Sequence, residues 1–147
     1  MTDSNCLFCK IINKEIPAKI IYEDKNYLAF LDINPVSLGH ALVIPKKHAA
    51  NFTALADQEA ADLAAVVHKI APKMIELLAA EGYNLNLNNG AIAGQIIEHV
   101  HLHIIPRYPD DGLPKGLREN ILSDNQIKAQ AAKDKIDEVF SKLENKL

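Results

Sequence analysis

Tryptophan is absent from this 147-residue chain, and tyrosine and phenylalanine occur four times each. So little aromatic surface disfavours a platform for stacking single-stranded bases. Positive charge is not in surplus either: 16 Lys and Arg stand against 19 Asp and Glu, a formal net charge of -3. Without a basic run, a binder of the nucleic-acid backbone is not expected. No stretch approaches the ~20 apolar residues of a membrane span, so no membrane partner is expected. Met1 to Cys6 lacks the basic-then-apolar order of a secretion signal. Cysteine is limited to Cys6 and Cys9, too few for a disulfide framework, and a cytoplasmic, reducing setting is expected. Internal repeats, low-complexity tracts and linkers are missing as well, so residues 1–147 are expected to form a single domain.

What the chain has is apolar residues, 48% of the total, enough for a core that needs no disulfide. Phe8 to Asn13 predicts a short N-terminal helix. Ile20 to Tyr22 and Tyr27 to Leu31 read as strands around a turn, and Ala41 to Ile44 as a third strand ended by Pro45. Asp57 suits the N-cap of a long helix carrying Leu63, Val66, Val67, Ile70, Met74, Leu77 and Leu78 at helical spacing. Pro72 predicts a kink in it and Gly82 its end. Tyr83 to Asn88 alternates as a half-buried strand does, and Ile96 to Ile105 reads as another strand. Beyond a Pro/Gly/Asp loop, Ser123 with Gln126 gives a capping-box pattern, and Ile136, Val139, Phe140 and Leu143 make the stripe of a C-terminal helix. The expected class is α+β: a mostly antiparallel sheet with helices on one face.

The chemistry centres on His99-Val100-His101-Leu102-His103-Ile104-Ile105. On a strand, alternate side chains share a face, so His99, His101 and His103 are expected together, opposite Val100, Leu102 and Ile104 on the core side. A lone histidine is commonly structural, but three in strict alternation repel one another once protonated, which points to function. His99 and His103 would lie ~13 Å apart along a strand, which disfavours one shared metal ion. Phosphoryl or nucleotidyl chemistry suits the row better. A neutral imidazole is a nucleophile near neutral pH, provided its other nitrogen is held as a donor. A protonated imidazole beside it would stabilise charge developing on phosphate oxygens. His101, flanked on both sides, is the expected nucleophile, and His103 the expected phosphate contact.

These residues resemble the signature of the histidine-triad family, His-φ-His-φ-His-φ-φ with φ apolar, at every position. The resemblance extends from about Cys6 to Arg107, through Lys10-Ile11-Ile12, Glu15 to Ala18, Phe30 to Pro35, Gly39 to His48 and Gly94-Gln95. It leaves 108–147, a loop and a helix, as the least matched part. The resemblance implies a five-stranded antiparallel sheet with helices, in a homodimer. It implies hydrolysis or nucleotidyl transfer at the α-phosphate of purine nucleoside phosphoramidates, acyl-nucleotides or dinucleoside polyphosphates. Phe8, Ile16 and Ile33 would line the base pocket, and Asp32 would accept from ribose hydroxyls. Asn88, Gly94, Gln95, the Ile96 backbone amide, His101 and His103 would hold the phosphate. His99, His101 and His103 form the implied catalytic row, with His40 in support. Some members carry Ser after the Gly-Gln pair, near the leaving group; here that position is Ile96.

Cys6-x-x-Cys9 admits three readings: two inert thiols, a redox pair, or half of a tetrahedral zinc site. The residues before it do not form the strand that a thioredoxin-like pair requires. In bacterial histidine-triad proteins with this pair, the metal is completed by the His after Pro-Lys-Lys and the first triad His. The resemblance therefore implies a structural zinc on Cys6, Cys9, His48 and His99. His68, on the long helix, is read as a surface or helix-packing residue with no role. Against the enzyme stand two alternatives: a purine-mononucleotide-binding regulatory module with weak catalysis, and a zinc-stabilised interaction protein.

Overall fold

Five short strands pair into one antiparallel sheet, apolar throughout at its centre and polar along one edge. They are β1 (Ile20–Glu23), β2 (Tyr27–Leu31), β3 (Ala41–Pro45), β4 (Gly82–Asn86) and β5 (Leu102–Arg107), in the order β1-β2-β3-β5-β4. The computed structural model describes residues 3–115 and 125–147. The turn between β1 and β2 is made by Asp24, whose carboxylate accepts the amides of Asn26 and Tyr27 at 2.8 and 2.7 Å. Every residue of β2 and β3 is buried, so both faces of the sheet centre are covered. This corrects the expectation of helices on one face. On one side, α1 (Leu7–Ile12) packs Phe8, Cys9 and Ile11 over Leu28, Phe30, Leu42 and Ile44. On the other, α2 (Asp57–Leu78) buries Leu63, Val66, Val67, Ile70, Met74 and Leu78 against Ala29, Leu31, Ala41 and Val43. α3 (Asn125–Asp134) leads into α4 (Ile136–Leu143). Val139 and Leu143 join the α2-side core with Ile136 and Phe140 packed against it, so the C-terminal stripe is used within this chain.

Several boundaries move for local reasons. The N-cap of α2 is Ala56, with Asp57 inside the first turn; Glu59 folds back to accept the Ala56 amide at 2.9 Å. α2 continues through Pro72, which lies on its exposed side, and ends at Ala79 in the left-handed region (φ 52°). The amides of Ala79 and Ala80 close the last turn on Glu76 and Ile75, which leaves Gly82 free to begin β4. β4 is an exposed edge strand, not a half-buried one, and pairs only as far as Asn86. The capping residue expected at Ser123 lies outside the described residues.

The largest departure is at the histidines. β5 begins at Leu102, and Ile96 to His101 is irregular. Gln95 draws this segment away from the sheet: its side-chain amide donates to Ala50 and Ile97 carbonyls at 2.6 and 2.9 Å, while its oxygen accepts the Gly90 amide at 2.8 Å. The Val100 amide then bonds Ala49. At the far end of β2, Gly39 (φ +83°) turns the chain back into β3, and a side chain there would run into Leu78. His40 follows directly.

Candidate functional site

Strand register aligns Phe30, Leu42, His103 and Asn86 across β2, β3, β5 and β4. Directly paired residues share a face, so His103 and Asn86 stand on the α1 side. His101, one turn of irregular chain earlier, is buried beneath α1, and its ring meets the edge of Phe8 at 5.2 Å. The triad face is therefore covered at His99 and His101, half-open at His103 and exposed at Asn86. His99 is fully buried, because α1 and its flanking cysteines lie over it.

Hydrogen bonds assign a proton to the imidazoles of His101, His40 and His103. His101 Nδ1 lies 2.6 Å from the His99 carbonyl oxygen, which only accepts, so Nδ1 carries the proton and Nε2 keeps its lone pair. The Val36 amide donates to His40 Nδ1 at 3.2 Å, so the neutral ring carries its proton on Nε2. That nitrogen donates to His103 Nδ1 at 2.8 Å. His103 is thereby protonated at Nε2, a neutral N–H donor. Asp32 Oδ2 stands 3.7 Å from His40 Nε2, and its other oxygen accepts the Asn34 amide at 2.8 Å.

Burial pushes His103 down to about 4, helped by the neighbouring His40 and His101 and opposed by Asp32. His40 is lowered mainly by burial too, with Asp32 opposing. His103, whose ring lies beside that of His101, is thus neutral at rest, where a protonated imidazole was expected. His103 and His40 both sit below their ordinary 6.5, so folding favours the neutral rings. The contribution of His103 is whole above pH ~6.5 and is lost as pH falls through its folded value of about 4, and that of His40 runs in the same direction. Urea midpoints are expected to fall between pH 6.5 and 4, and a His103→Gln variant to lose less over that window. An equal loss in the variant would assign the acid sensitivity to other groups.

The cysteines form a second group with His48 and His99. Cys6 Sγ lies 3.4 Å from His99 Nδ1, and Cys9 Sγ lies 3.4 Å from His48 Nδ1 and 3.6 Å from His99 Nδ1. All four ligand atoms fall within 4.8 Å of one another. A tetrahedron with Zn–S of about 2.3 Å and Zn–N of about 2.0 Å has mixed edges of ~3.5 Å, so the spacing fits. The protonation state fits as well. His99 Nε2 donates to the Pro45 carbonyl at 2.8 Å, which turns an unprotonated Nδ1 toward the thiols. Burial takes His99 down to about 4, which keeps that lone pair free. The Asp3 amide donates to Cys9 Sγ at 3.2 Å, which opposes the burial that pushes this thiol up. Asp32, His40 and His103 also cluster, but the Val36 bond leaves a proton on the His40 nitrogen that faces the others, so they do not fit a cation.

The remaining expected residues divide. Ile16 is half-buried against the α1-side core, whereas Ile33 is 69% exposed and free to meet a ligand. Asn88 donates to the Gly94 carbonyl at 3.4 Å, and the left-handed Gly94 (φ +90°) brings that backbone against the Asn88 amide. Gln95 is buried, and its side chain ties loops together, so any ligand contact there falls to backbone. Ile96 is exposed, and His68 is exposed on α2. The Val36 amide and Asn86 were missed by sequence reasoning. The first leaves no side-chain signal; the second lay in the Asn84-x-Asn86-x-Asn88 alternation.

The pattern described as HIT domain matches residues 13–110. The chain is 53% identical over 107 residues to an uncharacterized HIT-like protein of Methanocaldococcus jannaschii, covering 73% of this chain and 82% of that one. It is 44% identical over 126 residues to an adenosine 5'-monophosphoramidase of Schizosaccharomyces pombe, covering 85% and 92%. Among solved structures, a Zn-bound histidine triad family protein of Mycobacterium smegmatis superposes with a TM-score of 0.72 at 38% identity, over 91% of this chain and 96% of that one.

Proposed function

The chain belongs to the histidine-triad (HIT domain) family, and on that premise we propose that it hydrolyses purine nucleoside phosphoramidates at the α-phosphate. The observation that carries this is the protonation of His101: Nδ1–H is committed to the His99 carbonyl and Nε2 is a free nucleophile. Nε2 attacks phosphorus, the bond from phosphorus to the leaving nitrogen breaks, and the amine departs with a proton taken from solvent, which the later attack of water returns. Water then cleaves the nucleotidyl-histidine, releasing the mononucleotide and restoring the imidazole. His103 Nε2–H donates to a phosphate oxygen, and His40, held by the Val36 amide, fixes His103 in that form. Asn88, Gly94 and the amides beside Gln95 and Ile96 complete the phosphate site; Phe8, Ile16 and Ile33 take the base and Asp32 the ribose. The phosphoramidase activity of the S. pombe relative supports this reading. Dinucleoside polyphosphates are the alternative substrates of the same chemistry.

Cys6, Cys9, His48 and His99 would hold a zinc ion with no open position, hence a structural one. Bound there, it supplies a cross-link and no reactive group. Residues 6–107 carry the whole site, and 108–147 complete a single domain. The exposed edge of β4, with Tyr83 43% and Leu85 50% exposed, supports a homodimer. A cytoplasmic location suits the free thiols. One observation favours a second reading: Ile96, 88% exposed, offers no side-chain donor to a leaving group, as a regulatory nucleotide binder with weak catalysis would tolerate.

The test is rapid-quench turnover of an adenosine phosphoramidate beside a diadenosine polyphosphate. A burst of leaving group about equal to the enzyme, with adenylate recovered on a His101 peptide, is expected from the first substrate. No burst with either, while AMP still raises the melting temperature, would replace the enzyme with the binder.

A further inference from the structure

Asn86 and His103 are directly paired across β4 and β5 and share the α1-side face. The Asn86 side-chain nitrogen donates to Asn88 Oδ1 at 3.2 Å, and the Asn88 nitrogen donates to the Gly94 carbonyl at 3.4 Å. These two bonds fix which way the Asn88 carboxamide points. The Gly94 oxygen can only accept, so the Asn88 NH2 group must face it; Oδ1 then faces away, where Asn86 donates to it. One N–H of Asn88 is spent on Gly94, and the other remains to donate. A phosphate oxygen needs a donor there. A flipped carboxamide would present Oδ1 to it instead and repel it.

We propose that Asn86 is a positioning residue that keeps Asn88 in its donor orientation toward the α-phosphate. This rests on the phosphate role given to Asn88 above. Asn86 lies exposed on an edge strand, so its removal empties no core and leaves every backbone pair of β4 in place. The effect is therefore on binding and not on folding. The loss of one oriented donor to a charged oxygen corresponds to about tenfold in affinity.

The experiment is a double-mutant cycle on AMP affinity by calorimetry, with Asn86→Ala, Asn88→Ala and both together. Asn86→Ala is expected to raise the AMP Kd and the substrate KM about tenfold, with kcat within about twofold and Tm within about 2 °C. Adding it to Asn88→Ala is expected to change nothing further, because Asn86 acts through Asn88. Asn86→Thr, a better strand former too short to reach Oδ1, is expected to behave as the alanine variant does. Unchanged Kd in both Asn86 variants overturns the proposal, as do additive effects in the double variant. If Asn88→Ala itself binds AMP normally, the phosphate role of Asn88 falls and this proposal with it, while burst formation on His101 still decides the reaction separately.

Discussion

Alanine at position 101 is expected to lower AMP release on the order of 10^4-fold, with AMP affinity kept within about threefold. The size follows from what the substitution removes. Of the four imidazoles at positions 40, 99, 101 and 103, His101 alone presents an uncommitted lone pair. His40 Nδ1 accepts from Val36 and its Nε2 carries a proton. His103 Nδ1 accepts from His40, so Nε2–H can donate but not attack. His99 gives Nε2–H to Pro45 and turns Nδ1 to the cysteines. No neighbour can take over, so the variant keeps only phosphate binding and the pull of the remaining donors. The measurement is steady-state AMP release with AMP affinity by calorimetry on the same preparation. A variant within tenfold of wild type would move the nucleophile elsewhere. A variant that loses AMP binding along with turnover would make His101 a phosphate ligand before anything else.

Much of this site was legible because its residues sit close in sequence. His99, His101 and His103 could be paired with a chemistry by alternation alone, and the apolar spacing of Leu63 to Leu78 located α2. What alternation could not convey is the partner across space. Alternation set the three histidines opposite the core side, and nothing in Leu7 to Ile12, six residues, announces that this helix buries His99 and His101. The strand expected from Ile96 starts at Leu102 because the Gln95 side chain bonds three loop backbones, an outcome that no period records. Protonation is likewise a property of the assembled site. A histidine flanked by histidines reads as one of a charged set, yet burial, with His40 and His101 beside it, makes His103 neutral. The resemblance carried Cys6, Cys9, His48 and His99 to one place, and their side chains do meet in the structure, from segments up to 93 residues apart.

Serine at position 6 is expected to drop bound zinc from about one equivalent to a small fraction and to lower the melting temperature by roughly 10 °C. The six residues of α1 cannot hold a helix in water by themselves, and Cys6 at its N-cap makes no side-chain capping bond. The helix is kept in place by burial of Phe8, Cys9 and Ile11 and by the junction of its two thiols with His48 and His99. A metal there ties the N-terminus to the segment leading into β5, across 93 residues. The same tie reaches the reaction. The His99 side chain faces the thiols while its backbone oxygen holds His101 Nδ1–H, and Phe8 abuts the His101 ring at 5.2 Å. Loosening α1 therefore frees His101 to change tautomer, and a free Nε2 is no longer assured. Three readouts separate the steps: zinc by elemental analysis, unfolding by calorimetry, and the His101 ring nitrogens by NMR, where exchange between tautomers is expected in the serine variant alone. Should Cys6→Ser lose zinc and stability while His101 keeps its single tautomer, the cluster is a clamp on the N-terminus with no hold on the nucleophile. Should it keep the wild-type melting temperature, and should wild type be indifferent to a chelator, the four residues are a packed pair of thiols and no metal centre.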